Sequence, residues 1–300
     1  MNSFKRLCEN RGKLLNRNLL IVDMNNVLHK AIHIHPHLHC DYKDNNVYTG
    51  GLYGFVQQIS TAIEKFNIDD MIICTDQPPY MRSLLLKEYK AKREKPSIDF
   101  KKKFHDTINL INNFVIRANI ILWSKLGFEA DDLIYMLCSY YSKDYGKIVI
   151  LSNDKDLYQT FIFDNIFLVK NGYLYGQEQF MEEYDVSVSD WVWITVFSGG
   201  HNGVPGFDGI GEKTAIKLAK QNPRKWNLYG VPNNLVASDN VSEFIFDNFN
   251  KIKLYYHLAK LPFFYGGIQS NDFQVPKIKN PTEESIVKAN IFLQKLKFNI

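Results

Sequence analysis

The sequence is poor in several features that would mark other classes of protein. Its 300 residues include only four cysteines, Cys8, Cys40, Cys74 and Cys138, widely spaced and without a C-x-x-C pair. That excludes a disulfide framework, and the four read as reduced thiols of a cytoplasmic protein. No apolar run approaches the ~20 residues needed to cross a bilayer, so no membrane partner is expected. The first 17 residues are basic and polar and lack the apolar centre of a signal peptide; they read as a solvated tail. Net charge is small too, +4 with a pI near 8.6, and says little by itself. There is no internal repeat. What is present is enough apolar residue, 45% of the chain, to fill a core. The length suits one large α/β domain, or such a core with a smaller helical module.

Short apolar runs read as buried parallel strands: 19–22, 71–75, 119–122, 148–152 and 166–169. Apolar residues at spacings of three and four predict helices over 52–66, 104–117 and 129–145, and further ones over 187–197, 242–259 and 283–297. Strands alternating with helices predict an α/β fold with a mostly parallel central sheet and flanking helices. After about residue 177 the strand pattern stops, which places a soft boundary near 185 and a helical module after it.

Acids cluster where strands end. Asp23 closes the first run and Asp76 follows the second. Glu129, Asp131 and Asp132 open a helix. Asp154 and Asp156 follow the run at 148–152. Ends of adjacent parallel strands lie about 4.8 Å apart along one edge, where such sheets bind ligands. A single Asp at a strand end is usually a cap or turn residue. So many carboxylates together would repel unless countered, and the natural counter-charge is a pair of hard divalent cations with oxygen ligands. Two such ions can activate water and stabilise the leaving oxygen of a phosphodiester. Asp69 and Asp70 stand before a strand, at its other end, and read as turn residues.

The pieces IVDMNN (21–26), GFEADD (127–132), LSNDKDLYQ (151–159) and GVPGFDGIGEKTA (203–215) resemble, in order and rough spacing, the flap endonuclease / 5′–3′ exonuclease family, which includes phage enzymes and the 5′-nuclease domain of bacterial DNA polymerase I. The resemblance covers roughly residues 18–260. It implies a structure-specific 5′-nuclease that hydrolyses DNA at 5′ flaps and 5′ ends by two-metal catalysis, and that also removes RNA primers. It implies that Asp23, Asp76, Glu129 and Asp131 hold one Mg²⁺, and that Asp154 and Asp156 with Asp131 or Asp132 serve a second. The implied partners are DNA with 5′ flaps, overhangs or nicks, RNA–DNA hybrids and replication proteins, met by a monomer in the cytoplasm.

One departure matters. The family carries two further aspartates before the glycine hairpin; here those positions fall on Gly199 and Asn202. The second ion's site is weakened. Three outcomes are open: weak binding completed by substrate phosphate and water, a ligand lent by His201 that favours Mn²⁺, or reduced activity. The alternative function is therefore a weakly active or non-catalytic DNA-structure binder.

Residues 82–103 hold nine Lys or Arg against three acids, more net charge than the whole chain. Such a run is usually a solvated face. Here it lies within the segment 77–104, where the family has a helical arch through which single-stranded 5′ DNA passes. Lys90 and Arg93, in YKAKR, match its basic phosphate-contacting positions and are expected to serve catalysis; Arg82 is a further DNA-contact candidate. His29 could stack on a base and Lys30 could meet a phosphate. The histidines of 29–39 invite a zinc reading, but their spacing fits no closed tetrahedral motif, and Pro36 suggests an extended segment. The turn Gly209-Ile210-Gly211, followed by Lys213, Thr214 and Lys217, resembles a helix–hairpin–helix element gripping duplex DNA, with a K⁺ ion at the hairpin in the family. The expected organisation is a basic tail (1–17), an α/β nuclease core (18–185) and a helical duplex-binding module (186–300).

Overall fold

Leu19–Val22 is an unbroken apolar run, and it forms the middle of a six-stranded sheet. The structure is a computed structural model that describes residues 2–8, 14–42, 45–91, 95–200, 203–221 and 239–298. In chain order the strands are β1 (Asn18–Asp23), β2 (His39–Tyr42), β3 (Asn45–Tyr48), β4 (Asp70–Cys74), β5 (Ile121–Trp123), β6 (Lys147–Leu151), β7 (Ile166–Lys170) and β8 (Tyr173–Tyr175). The main sheet has the order β5-β4-β1-β6-β7-β8, parallel throughout except for β8 at one edge, while β2 and β3 form a separate antiparallel pair. All five expected strands are present. From β1 the chain winds outward to β4 and β5, then returns to β6 on the other side of β1. That reversal opens a crevice at the carboxyl end of β1.

The helices are α1 (Asn2–Lys5), α2 (Met24–Ile34), α3 (Gly50–Lys65), α4 (Arg82–Leu85), α5 (Ile98–Ala118), α6 (Ala130–Tyr141), α7 (Gln177–Tyr184), α8 (Trp191–Ser198), α9 (Glu212–Gln221), α10 (Asp239–Ala259) and α11 (Glu283–Lys295). They cover both sheet faces, and alternate strand residues feed two cores. Leu19 and Ile21 join residues of α6, α8 and α10; Leu20 and Val22 join residues of α2, α3, α5 and α11. None of these helices is long and apolar enough to cross a membrane.

Several readings change. The basic start is anchored, because Phe4 and Leu7 are fully buried and Phe4 meets Phe114 edge-on at 5.7 Å. The histidine stretch is helical as far as Ile34, since Val27, Leu28, Ala31 and Ile32 make a buried stripe at helical spacing. Asp69 and Asp70 are buried and structural: Asp69 accepts from the Asn18 amide at 2.9 Å, and Asp70 pairs with Arg17. Among the described residues, packing runs on across residue 185. Trp191, Phe197 and Phe263 share one core with Leu19, and Ile286 and Phe292 share the other with Leu20. The helix α11 lies against α5 and α1 and buries Ile286, Ala289, Phe292 and Leu293 there.

Phe180 is fully buried in an aromatic group with Tyr158, Phe161, Tyr184 and Trp191, and Tyr175 of β8 meets Tyr158 and Phe161, so the group joins α7 and α8 to the sheet. Phe180→Ala should cost about 3–5 kcal/mol in urea unfolding, the usual loss for an aromatic deleted from a packed core. A loss below about 1 kcal/mol would show that this group does not hold the two parts together.

Candidate active site at the carboxyl edge of the sheet

The strand ends deliver the acids as their positions imply. Asp23 ends β1 and caps α2, its carboxylate accepting from the Asn26 amide at 3.1 Å and from the Ser152 hydroxyl at 2.9 Å. Asp76 lies just past β4. One of its oxygens accepts from the Ala130 amide at 2.7 Å, at the start of α6, and the other from the Tyr80 hydroxyl at 3.1 Å. Asp131 sits in the first turn of α6, and its carboxylate makes no hydrogen bond among the described residues. Asp154 follows β6 and accepts from the Asp156 amide at 2.9 Å.

Asp23, Asp76, Glu129, Asp131 and Asp154 line one cleft of about 420 Å³, together with His29, Lys30 and Lys90. A second cleft of about 400 Å³ is lined by Asp154, Asp156, Thr195, Gly199, Gly200 and Glu212. Asp154 is the wall between them. Gly199 thus lines the second cleft with Asp154, Asp156 and Glu212. Its φ is +79°, and an added Cβ would lie 3.0 Å from the Pro205 carbonyl oxygen, so a carboxylate there would strain the backbone and require the loop to shift.

Burial and mutual repulsion oppose ionisation of this cluster. Asp23 is pushed up to about 7, chiefly by burial, with the charges of Asp76 and Asp154 adding and the bonds from Asn26 and Ser152 opposing. Asp131 is raised well above the ordinary carboxylate range by burial, then by Asp154, Asp23, Asp156 and Asp76. Asp156 is raised by burial and by Asp154. Among the described residues, no three His, Cys, Asp or Glu side chains are placed to hold an ion between them. The donor set nevertheless fits hard divalent cations: it is all oxygen, it lines one cleft, and it lacks the counter-charge that would let every member ionise.

Other predicted site residues fall elsewhere. Asp132 is fully buried and faces away from the cleft; it is gripped by both ends of the Arg82 guanidinium, at 2.6 and 2.8 Å, and by the Phe263 amide at 2.8 Å. It is spent on structure and does not join the acids that line the cleft. Arg82 is only 3% exposed, so it does not reach DNA. Burial works against its charge, but Asp132 more than offsets this and raises it further. Glu129 does reach the cleft, yet it accepts from Arg82 at 3.0 Å, from the Tyr89 hydroxyl at 2.6 Å and from the Lys90 ammonium. Lys90 has φ +60°, and its backbone packs so close to Gly203 that an added Cβ there would lie 2.8 Å from the Lys90 nitrogen.

Of the basic arch segment, helix occupies α4 and everything from Ile98 onward. Arg93, His201 and Asn202 lie outside the described residues. His29 is exposed and contacts the rings of His33 and Phe100, each at 4.7 Å; burial and His33 lower its pKa. Lys30 lines both the acid cleft and a neighbouring groove. Gly209, Gly211, Lys213, Thr214 and Lys217 are exposed, and added Cβ atoms at the two glycines would meet nothing within 4 Å. Tyr80, Tyr89 and Ser152 were not foreseen. Tyr89, beside Lys90, and Ser152, within LSNDKDLYQ, carried a sequence signal; Tyr80 carried none.

An acid-lined crevice at the carboxyl edge of a mostly parallel sheet, with Lys30 and Lys90 on its wall, defines a class of α/β protein whose ligands enter at that edge. Residues 18–185 match the family of the 5′-3′ exonuclease N-terminal, resolvase-like domain. The 5′-3′ exonuclease of Bacillus subtilis is 29% identical over 215 residues, 69% of this chain and 71% of the relative. DNA polymerase I of Thermus thermophilus is 29% identical over 215 residues, 70% of this chain but only 25% of the polymerase. Among solved structures, the T5 5′-exonuclease with bound divalent metal ions (zinc) superposes with a TM-score of 0.67 at 16% identity, covering 93% of this chain and all of that one. A complex of the bacteriophage T5 flap endonuclease with DNA and metal ions superposes with a TM-score of 0.65 at 15% identity, covering 94% of this chain and all of that one. The chain belongs to the flap endonuclease / 5′–3′ exonuclease family.

The raised Asp23 value has a consequence for stability. A proton held more tightly in the folded chain contributes stability that is fully present below the ordinary value of 3.8 and lost as pH rises through about 7. Asp23→Asn removes that loss. In EDTA, the variant should gain Tm over the parent at about pH 8 and gain little at about pH 4. Equal shifts at both would rule out Asp23 as the titrating group.

Proposed function

We propose that the chain is a divalent-cation-dependent, structure-specific 5′-nuclease that hydrolyses DNA phosphodiesters at 5′ flaps and 5′ ends, RNA primers included, in the cytoplasm. The observation that carries this reading is the convergence of five carboxylates and Lys90 on one cleft at the sheet edge. The name of the Bacillus subtilis relative and the DNA in the T5 complex point the same way.

Asp23, Asp76, Glu129 and Asp131 would hold one Mg²⁺, and Asp154 and Asp156 with Asp131 a second, with Mn²⁺ as a substitute. Such ions supply an activated water and neutralise charge on the phosphate. The chain's own residues do the rest. Lys90 brings positive charge among the acids, where it can meet a phosphate entering the cleft, and Arg93 is proposed to assist it. Lys30 offers a phosphate contact at the junction with the neighbouring groove. His29, stacked on His33 and Phe100, offers a face to an unpaired base. The open turn at Gly209 and Gly211, with Lys213, Thr214 and Lys217, offers backbone and charge to a duplex, and K⁺ at that turn belongs to the same proposal. Replication proteins are the proposed partners of a monomeric enzyme.

Gly199 favours a second reading, a weakly active or non-catalytic binder of the same DNA, because one wall of the second cleft lacks its acid. Cleavage of a 5′-end-labelled flap in EDTA, Mg²⁺ and Mn²⁺ decides between them. The nuclease should cut near the junction only with metal, and Asp131→Ala or Asp154→Ala should lose about 100-fold or more, the rate equivalent of a few kcal/mol, while still binding the flap. Tight flap binding without cleavage in either metal would establish the binder, and absence of flap binding would sink both.

A further inference from the structure

Tyr80 lies four residues past Asp76, outside both the acidic pattern and the basic phosphate-contact motif, yet it touches both. Its hydroxyl donates to Asp76 Oδ2 at 3.1 Å, while Asp76 Oδ1 accepts from the Ala130 amide at 2.7 Å. The Asp76 carboxylate is thus held at both oxygens, and Tyr80 fixes its rotation about the bond to the chain. The ring of Tyr80 stands 4.8 Å from the Lys90 Nζ, and the ring of Tyr89 stands 5.4 Å from it. The Tyr89 hydroxyl in turn donates to Glu129 at 2.6 Å. The lysine ammonium therefore faces two aromatic rings whose hydroxyls grip two different acids of the cleft. Ring faces attract an ammonium and narrow the positions it can take.

We propose that Tyr80 is a positioning residue with two separable contacts. Its hydroxyl orients Asp76 and so sets the cleft's affinity for a divalent cation, while its ring keeps the Lys90 ammonium over the acid cluster for the phosphate. The second half rests on the nuclease reading above; the first does not. A tyrosine that merely packed the foot of the arch would be replaced by phenylalanine without effect, because ring and volume are kept.

The test uses the full chain and two variants, Tyr80→Phe and Tyr80→Leu. Mn²⁺ binding to the DNA-free protein is read by calorimetry, folding by Tm in EDTA, and catalysis by single-turnover flap cleavage at saturating Mn²⁺. Tyr80→Phe should weaken Mn²⁺ binding about 10-fold, the low end for losing a hydrogen bond to a metal-ligating group, with Tm and saturated rate nearly unchanged. Tyr80→Leu should show the same loss of Mn²⁺ affinity and a further fall of about 10-fold in the saturated rate, as expected for losing a desolvated cation–π contact. Parental Mn²⁺ affinity in Tyr80→Phe would overturn the first half, and equal saturated rates in the two variants would overturn the second. A parent that binds no Mn²⁺ would overturn the first half as well. If the parent binds Mn²⁺ but cuts no flap, the nuclease reading fails and the second half with it, while the calorimetry still decides the role of the hydroxyl.

Discussion

The buried guanidinium of Arg82 ties together parts of the chain that are far apart in sequence. It holds Asp132 and Glu129 at the start of α6 and donates to the Leu258 carbonyl near the end of α10 at 2.9 Å. Its plane also lies 4.9 Å from the Phe263 ring. An ion pair this deep stays favourable only while every partner is present, since an orphaned buried charge costs about 3–5 kcal/mol. The short helix α4, the opening turn of α6 and the end of α10 are therefore held in one relation. Glu129 and Asp131 stand in a first turn of α6 that Arg82, the capping bond from the Glu129 amide to Asp132 and the bond from the Ala130 amide to Asp76 hold together.

Against that knot stands a cleft that works against itself. Burial and like charges raise Asp23, Asp131 and Asp156 together, so the folded chain keeps a set of acids it cannot fully ionise alone. The fold accepts this strain at the edge of its sheet and offsets it with capping bonds, from Asn26 and Ser152 to Asp23 and from Ala130 and Tyr80 to Asp76. Where such groups are neutralised by a protein cation, as Asp132 is, they serve stability. Where they are left facing the cleft, they are the groups a cation could neutralise.

Much of this was legible beforehand. Apolar runs ending in Asp marked β1, β4 and β6, because strands buried on both faces carry no polar break. The pair β2–β3 and the helix α2 were harder to see. In α2 the apolar stripe at Val27, Leu28, Ala31 and Ile32 is interleaved with histidines that read as a motif of their own. The burial of Phe4 and Leu7, and the packing of α11 on α5, depend on contacts across most of the chain, and local pattern carries no trace of them.

The sequence by itself determined that acids would gather at one edge of a parallel sheet with a basic segment following, since strand period and chain order suffice for that. It could not decide which acids would face the cleft. Asp131 and Asp132 are neighbours of identical chemistry, but successive residues of a helix point about 100° apart. One therefore turns to the crevice and the other into the core, where Arg82 meets it. The same holds for Arg82 and Lys90, which belong to one basic run. Only the tertiary structure made one a buried tie and the other a cation of the cleft, because only there does Arg82 meet Asp132 in the core while Lys90 meets Glu129 at the cleft wall.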